Sequence, residues 1–413
     1  MSLGVKLGPL TERPFRLLWF GRTASSIGDA LVPVALAFAV LEVGGGATWL
    51  GIVLGANTLT RALVLVAGGV WADRLPRRLV MVGCDLIRAV ADALLAAALL
   101  GGVMQPWMFL IAAVVFGAAG AFFAPASTGL VPETVSDGRL QQANALLTLS
   151  QNAARVFGPV ASGAIVALAG AAWVFAADAV SFAVSAAFLV ALRVAPLAAE
   201  PTQRFVAEVI DGWREIRQRR WLWTSFLTFA ITNIGLGPFF VLGPVVARDS
   251  LGGAQGWGAI VAGIAIGGVV GGVLAYRLEP RRPLVVCFAS WLFAGLPVVA
   301  LAPPLPTIAV TAAALGLGLG LAFSNAIWET VLQREIPTSR LGRVAAIEWT
   351  VSLVFMPLGQ VAAGPLSSLI GMRTTLLLAA GLVVLPALAM LQLAEVRSLR
   401  GRAKMQPATA QAA

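Results

Sequence analysis

Histidine is absent from the 413 residues, cysteine occurs twice and tyrosine once. Without imidazole, haem sites, most zinc sites and His-based catalysis have almost no side chains to draw on. No cofactor or metal site is therefore expected. Cys84 and Cys287 each follow a basic phrase by a few residues, inside an apolar run. They read as inert packing residues, because a buried free thiol behaves as a small hydrophobe. Charge is scarce too, at 12% of residues, about half the share of a soluble domain. No G-x-x-x-x-G-K-[ST] loop occurs, so no ATP site is evident. The opening "MSLGVKLGPLTERPFRLLWF" lacks a short apolar core with a small-residue cleavage site, so no cleaved signal peptide is expected.

What remains is apolar. Hydrophobic residues make up 59% of the chain, with a mean hydropathy of +0.89. Apolar runs of about 18 or more residues recur along its length, the mark of membrane-spanning helices. The fold class is an all-α membrane protein with twelve spans, near 15–40, 48–71, 79–100, 106–130, 142–169, 172–192, 222–247, 256–276, 284–302, 306–332, 344–369 and 373–393. The longest polar break, Arg193–Arg220, divides them six and six. Four units follow: an N-terminal six-helix bundle (1–192), a cytoplasmic linker (193–221), a C-terminal six-helix bundle (222–393) and a disordered cytoplasmic tail (394–413). Within the linker, Phe205, Val209, Trp213 and Ile216 recur at helical spacing opposite Glu208, Asp211, Arg214 and Glu215. That pattern predicts an amphipathic helix lying along the membrane surface.

The net charge of +10 would point to nucleic acid in a soluble chain, but here topology accounts for it. One set of breaks carries Lys6, Arg74, Arg77, Arg78, Arg139, the linker arginines, Arg277, Arg281, Arg282, Arg334, Arg340 and Arg343. The other set carries Arg248 and Arg373. Positive residues stay inside, so both termini are expected in the cytoplasm.

The two halves echo one another. "GGVWADRLPRR" (68–78) and "GGVLAYRLEPRR" (271–282) each join the second span of a half to the third. Gly163 and Gly170 recur as Gly364 and Gly371, 201 residues later in each case, and Pro132 before span 5 answers Pro337 before span 11. Halves that run the same way form a parallel pseudo-repeat, the plan of a rocking secondary transporter.

At these residues the chain resembles the major facilitator superfamily. Gly69, Asp73, Arg74, Arg77 and Arg78 match its cytoplasmic gating motif G-x-x-x-D-R-x-x-R-R. "GPVASG", with Gly158, Pro159 and Gly163, is similar to the G-P-x-x-G-G motif of its antiporters, Ser162 standing where a glycine is usual. "SIGD", "PETVSDGRLQQANAL" and "LQREIPTSRLGRV" look like the branch of macrolide and multidrug exporters and the enterobactin exporter. The resemblance implies that Asp73 faces the start of span 11, near Arg343 to Ile347, and latches the halves when the cytoplasmic side is closed. A carboxylate there would gain about 0.3–1 kcal/mol. The second phrase offers the uncharged Tyr276, so the latch exists once. Span 4 lacks the arginine that many drug/proton antiporters of the superfamily carry, and a mechanism resting on it does not transfer.

Ionisable residues inside the spans cost about 2.5–3.5 kcal/mol each on insertion scales. They gather in the first half: Arg22, Asp29, Arg61, Asp85, Arg88, Asp92, Arg155 and Asp178. Proton coupling, if present, belongs there. Asp29, mid-span 1, is the expected carrier, with Arg22, Arg61 and Arg155 as partners; a fixed ion pair pinning helices is the alternative. Asp85, Arg88 and Asp92 share one stripe of span 3 and read as a structural brace. Asp178 stands between a vestibule charge and a packing contact. The second half offers aromatics and amides instead, including Asn233, Phe323, Asn325, Trp328 and Gln360 for a substrate cavity.

The reading is a monomeric, multi-pass exporter in the cell membrane. It would move amphipathic, drug- or natural-product-like molecules by alternating access, in exchange for protons. A dedicated siderophore or self-resistance exporter is the alternative, and a nutrient importer or a non-transporting sensor lies further off. No enzyme chemistry and no nucleic-acid partner is expected.

Overall fold

A hydrocarbon environment offers the backbone no hydrogen bonds, so each apolar run must satisfy its own amides as a helix. The computed structural model describes residues 8–72, 75–193, 216–303 and 305–399, and no strand occurs among the described residues. The long helices are α1 (Arg13–Glu42), α2 (Gly46–Ala72), α3 (Arg77–Leu100), α4 (Pro106–Leu130), α5 (Leu140–Ala169) and α6 (Ala171–Ala191). After the linker come α7 (Arg220–Ser250), α8 (Gly253–Arg277), α9 (Pro283–Leu301), α10 (Thr307–Glu335), α11 (Thr338–Ile370) and α12 (Met372–Gln392). Ten helices are long and apolar enough to cross a membrane. Two fall outside that group: α3 carries Arg77, Arg78, Asp85, Arg88 and Asp92, and α11 contributes the shorter apolar stretch Val354–Ile370. The outer surface is apolar, with Leu94, Leu168, Ile308 and Leu369 exposed, as lipid contact requires.

The helices pack in a repeated order. α1 lies on α5 and α6, α3 on α4 and α6, and α2 on α4. Six helices later the same pairs return: α7 on α11 and α12, α9 on α10 and α12, α8 on α10. The main contacts between the two sets are α2 with α11 and α5 with α8. Advancing each helix of one by six gives the other.

Glycines make this order possible. Gly170 ends α5 and opens α6 at φ 92°, and Gly371 does the same between α11 and α12 at φ 85°. L side chains rarely adopt that region. A Cβ on Gly163 would collide with the Ala254 backbone of α8, and one on Gly364 with the Thr48 backbone of α2. Gly51 and Gly55 meet α11 at Gln360 and Val361, and Gly258 meets α5 at Pro159. All these approaches lie where α2 and α8 begin and where α5 and α11 end. Small residues let helices close to backbone contact in lipid.

At the opposite end of the first set, Phe15, Leu18, Met81, Leu130, Leu147 and Leu189 form a separate apolar core. The basic phrase sits on it. Arg77 donates to Gly129 O and pairs with Glu133, both at 2.8 Å, and Arg78 donates to Leu192 O. The predicted linker helix lies outside the described residues, apart from its last apolar residue, Ile216, which is buried. The first residues of the segment expected as a tail are ordered. Ala394–Ser398 form a helical turn with Val396 buried, and Glu395 accepts a hydrogen bond from Trp221 N at 2.8 Å. A carboxylate at the start of α7 gains from the helix dipole, which holds this turn in place.

Candidate functional site

The charged residues of the first six helices converge where α1, α3 and α6 meet. Along α3, Asp85, Arg88 and Asp92 are all buried. They occupy one face at helical spacing and span about 10 Å of rise. That face meets an antiparallel stripe of α6. Ser185 Oγ donates to Asp85 Oδ2 at 2.6 Å. Arg88 lies over the rings of Phe182 on α6 and Phe123 on α4, at 5.3 and 5.0 Å from their centroids. Cation–π contact lowers the cost of placing a guanidinium away from water. One turn further on, the carboxyl groups of Asp92 and Asp178 come within hydrogen-bonding reach of each other.

Helix α1 closes the third side. Gly28 faces Asp178 and Ser181 so closely that a Cβ there would overlap Asp178 Oδ1 and Ser181 Oγ. Asp29 follows at once. It is exposed, although protein surrounds it, so its carboxylate opens into an interior cavity. The cations that act on it are Arg88 and Arg61. Arg88 acts on Asp85, Asp92 and Asp178 as well, and so stands at the centre of four acids.

Of the predicted proton-coupling residues, Arg61 of α2 acts on the charge of Asp29 across the bundle. Arg22 lies half-buried on α1, and Arg155 is exposed on α5. The antiporter-like motif joins three helices: Gly158 packs against Ala30 of α1, while Pro159 and Gly163 pack against α8. The cavity-facing Asp29 is therefore one residue from the contact that leads to the second set of helices. Of the gating motif, Gly69 lies in α2, Asp73 and Arg74 lie outside the described residues, and Arg77 and Arg78 anchor α3 as described above.

The predicted substrate face is mixed. Trp328 is buried in an aromatic cluster, with Phe229 at 4.9 Å, Trp221 at 5.9 Å and Phe226 at 6.2 Å between ring centroids. Phe323 and Gln360 are also buried. Asn233 is half-buried and donates to Phe229 O, and Asn325 is exposed. Reading by composition missed the partnership of Asp92 with Asp178 and the service of Gly28, Ser181 and Ser185 to it. The signal was there in part: Asp178, Ser181 and Ser185 fall on one face of span 6, at the spacing of Asp85, Arg88 and Asp92 on span 3.

Residues 18–352 match the family model of the Major Facilitator Superfamily. The chain belongs to this superfamily. Macrolide efflux protein A of Streptococcus pyogenes is 24% identical over 398 residues, covering 93% of this chain and 97% of that protein. The multidrug efflux pump Tap of Mycobacterium tuberculosis is 28% identical over 408 residues, covering 94% of each. Among solved structures, the nucleoside transporter NupG superimposes with a TM-score of 0.70 at 14% identity, covering 91% of this chain and 98% of that one. That likeness concerns the fold. The chain is thus a multi-pass membrane protein of a transporter superfamily, with efflux proteins among its relatives.

Proposed function

We propose that this superfamily member is a secondary active exporter of amphipathic small organic molecules, driven by proton antiport across the cell membrane. The observation that carries the reading is the division of labour between the halves: buried and cavity-facing charge on α1, α3 and α6, against aromatic packing around Trp328 on α7 and α10. The whole-length likeness to efflux relatives supports the direction of transport.

The repeated packing order supports twelve spans in two six-helix bundles, 1–192 and 222–393, related by a parallel pseudo-repeat, and the side on which the arginines gather supports both termini in the cytoplasm. On this reading α3 and α11 also cross the membrane, with α3's charges facing inward, as intramembrane ions must. The glycine contacts then lie on the outer side, and the molecule is closed outside and open toward the cytoplasm. Rocking about α2–α11 and α5–α8 carries a bound molecule across. The protein works as a monomer, without enzyme chemistry or nucleic acid.

The test is proton movement in proteoliposomes holding a pH dye, on addition of ethidium as the transported probe. Wild-type protein is expected to move protons in the direction opposite to ethidium. Asp29→Asn should lower that movement about tenfold or more. Equal movement in both proteins removes Asp29 as a carrier, and none in wild type removes proton antiport.

A further inference from the structure

The contact between Asp92 and Asp178 is difficult to explain as a brace. Both side chains are fully buried. Ser181 Oγ donates to Asp178 Oδ1 at 2.9 Å. Asp178 Oδ2 and both oxygens of Asp92 receive no hydrogen bond from an N–H or hydroxyl among the described residues. A brace built of two carboxylates would need a donor between them, since buried acceptors without donors are costly. Two carboxylates in contact repel each other, so the unprotonated pair is unfavourable and takes up a proton readily, whereas a carboxylic acid and a carboxylate sharing one proton hold each other well.

The surroundings suit such a pair. Arg88, from the next turn of α3, is the cation that faces it. Asp29 is the acid that faces it from α1, and Asp85 lies one turn beyond Arg88. Helix α4 contributes no titratable group. Gly28 lets Asp178 and Ser181 rest directly on the α1 backbone, one residue from the cavity-facing Asp29. Gly158 of α5 packs on Ala30, the residue after Asp29, and α5 also carries the contact with α8. A shift of α5 against α8 therefore reaches the backbone on which the pair rests.

We infer that the Asp92–Asp178 pair binds the coupled proton as one shared between two carboxyl groups, and that Asp29 is its outlet to the cavity. The inference rests on the proton-antiport reading above and assigns that reading a site. In the exchange, the O–H bond on Asp29 breaks as one forms on the pair. Asp29 is then left as a carboxylate facing Arg61 and Arg88.

Two measurements test it on the purified full-length protein. In proteoliposomes with ethidium and a pH dye, Asp92→Asn and Asp178→Asn should each lower probe-driven proton movement about tenfold or more, with probe counterflow falling much less. The infrared spectrum of wild-type protein at neutral pH should contain the stretch of a buried protonated carboxyl, and both substitutions should remove it. Wild-type proton movement in either variant overturns the assignment while leaving antiport standing. A wild-type spectrum without that band overturns it whether or not the variants fold. No proton movement in wild type, with counterflow intact, overturns antiport and the assignment together.

Discussion

Gly28 has no side chain because Asp178 and Ser181 occupy the space where one would stand. Gly28→Ala is expected to lower stability by about 1–3 kcal/mol through overpacking. Gly83→Ala, on the open side of α3 with nothing within 4 Å, should be close to neutral; unfolding in detergent compares them. Arg88 is the other decisive residue, a buried cation between two rings and facing four acids. Its replacement by alanine leaves those acids uncompensated and should cost about 3–5 kcal/mol. Lysine keeps the charge but loses the flat face that lies on Phe123 and Phe182, a cost nearer 1 kcal/mol. An alanine variant no less stable than the lysine variant would show that the ring contacts, and not the charge, hold Arg88 in place. At this scale the sequence spoke unevenly. Asp29 announces itself, as an acid in mid-span. The pairing of Asp92 with Asp178 was hidden, because periodicity tells which face a residue occupies and not which helix that face will meet.

Among helices, the informative residues are the glycines at crossings. Gly163 and Gly364 occupy equivalent places on α5 and α11, where each touches backbone of the other set. Valine at either position should hold the helices apart and cut transport several-fold, since a well-packed contact accommodates extra methyls poorly. Gly272→Val, on the open side of α8 with nothing within 4 Å, is the control, and ethidium efflux from cells is the readout. Efflux retained in Gly163→Val would mean that the closed crossing is not needed for the cycle. Here the sequence was more legible. The offset shared by Gly163, Gly170, Gly364 and Gly371 pointed to a repeat, and the paired turns at Gly170 and Gly371 carry nearly the same backbone angles. The helices run past the expected spans where polar first turns extend them beyond their apolar part: α11 begins at Thr338, ahead of a span expected from 344.

For the whole molecule, α1–α6 and α7–α12 repeat one packing order and meet at α2–α11 and α5–α8, and the proposed alternating access has each set rock on the other there. Composition disclosed a multi-pass membrane protein. It could not disclose at which end the two sets would cross most closely, because that depends on contacts between residues about 90 to 320 apart in the chain. The most direct test of the account is a pair of distances between spin labels, with the buried Cys84 and Cys287 replaced by serine. One pair is placed at Leu149 of α5 and Tyr276 of α8, both exposed at the basic end; the other is at Leu168 and Ile308, exposed at the opposite end. Alternating access predicts that on adding ethidium or imposing a pH gradient the first distance shortens as the second lengthens. Both distances staying fixed, or both changing in the same direction, would contradict it.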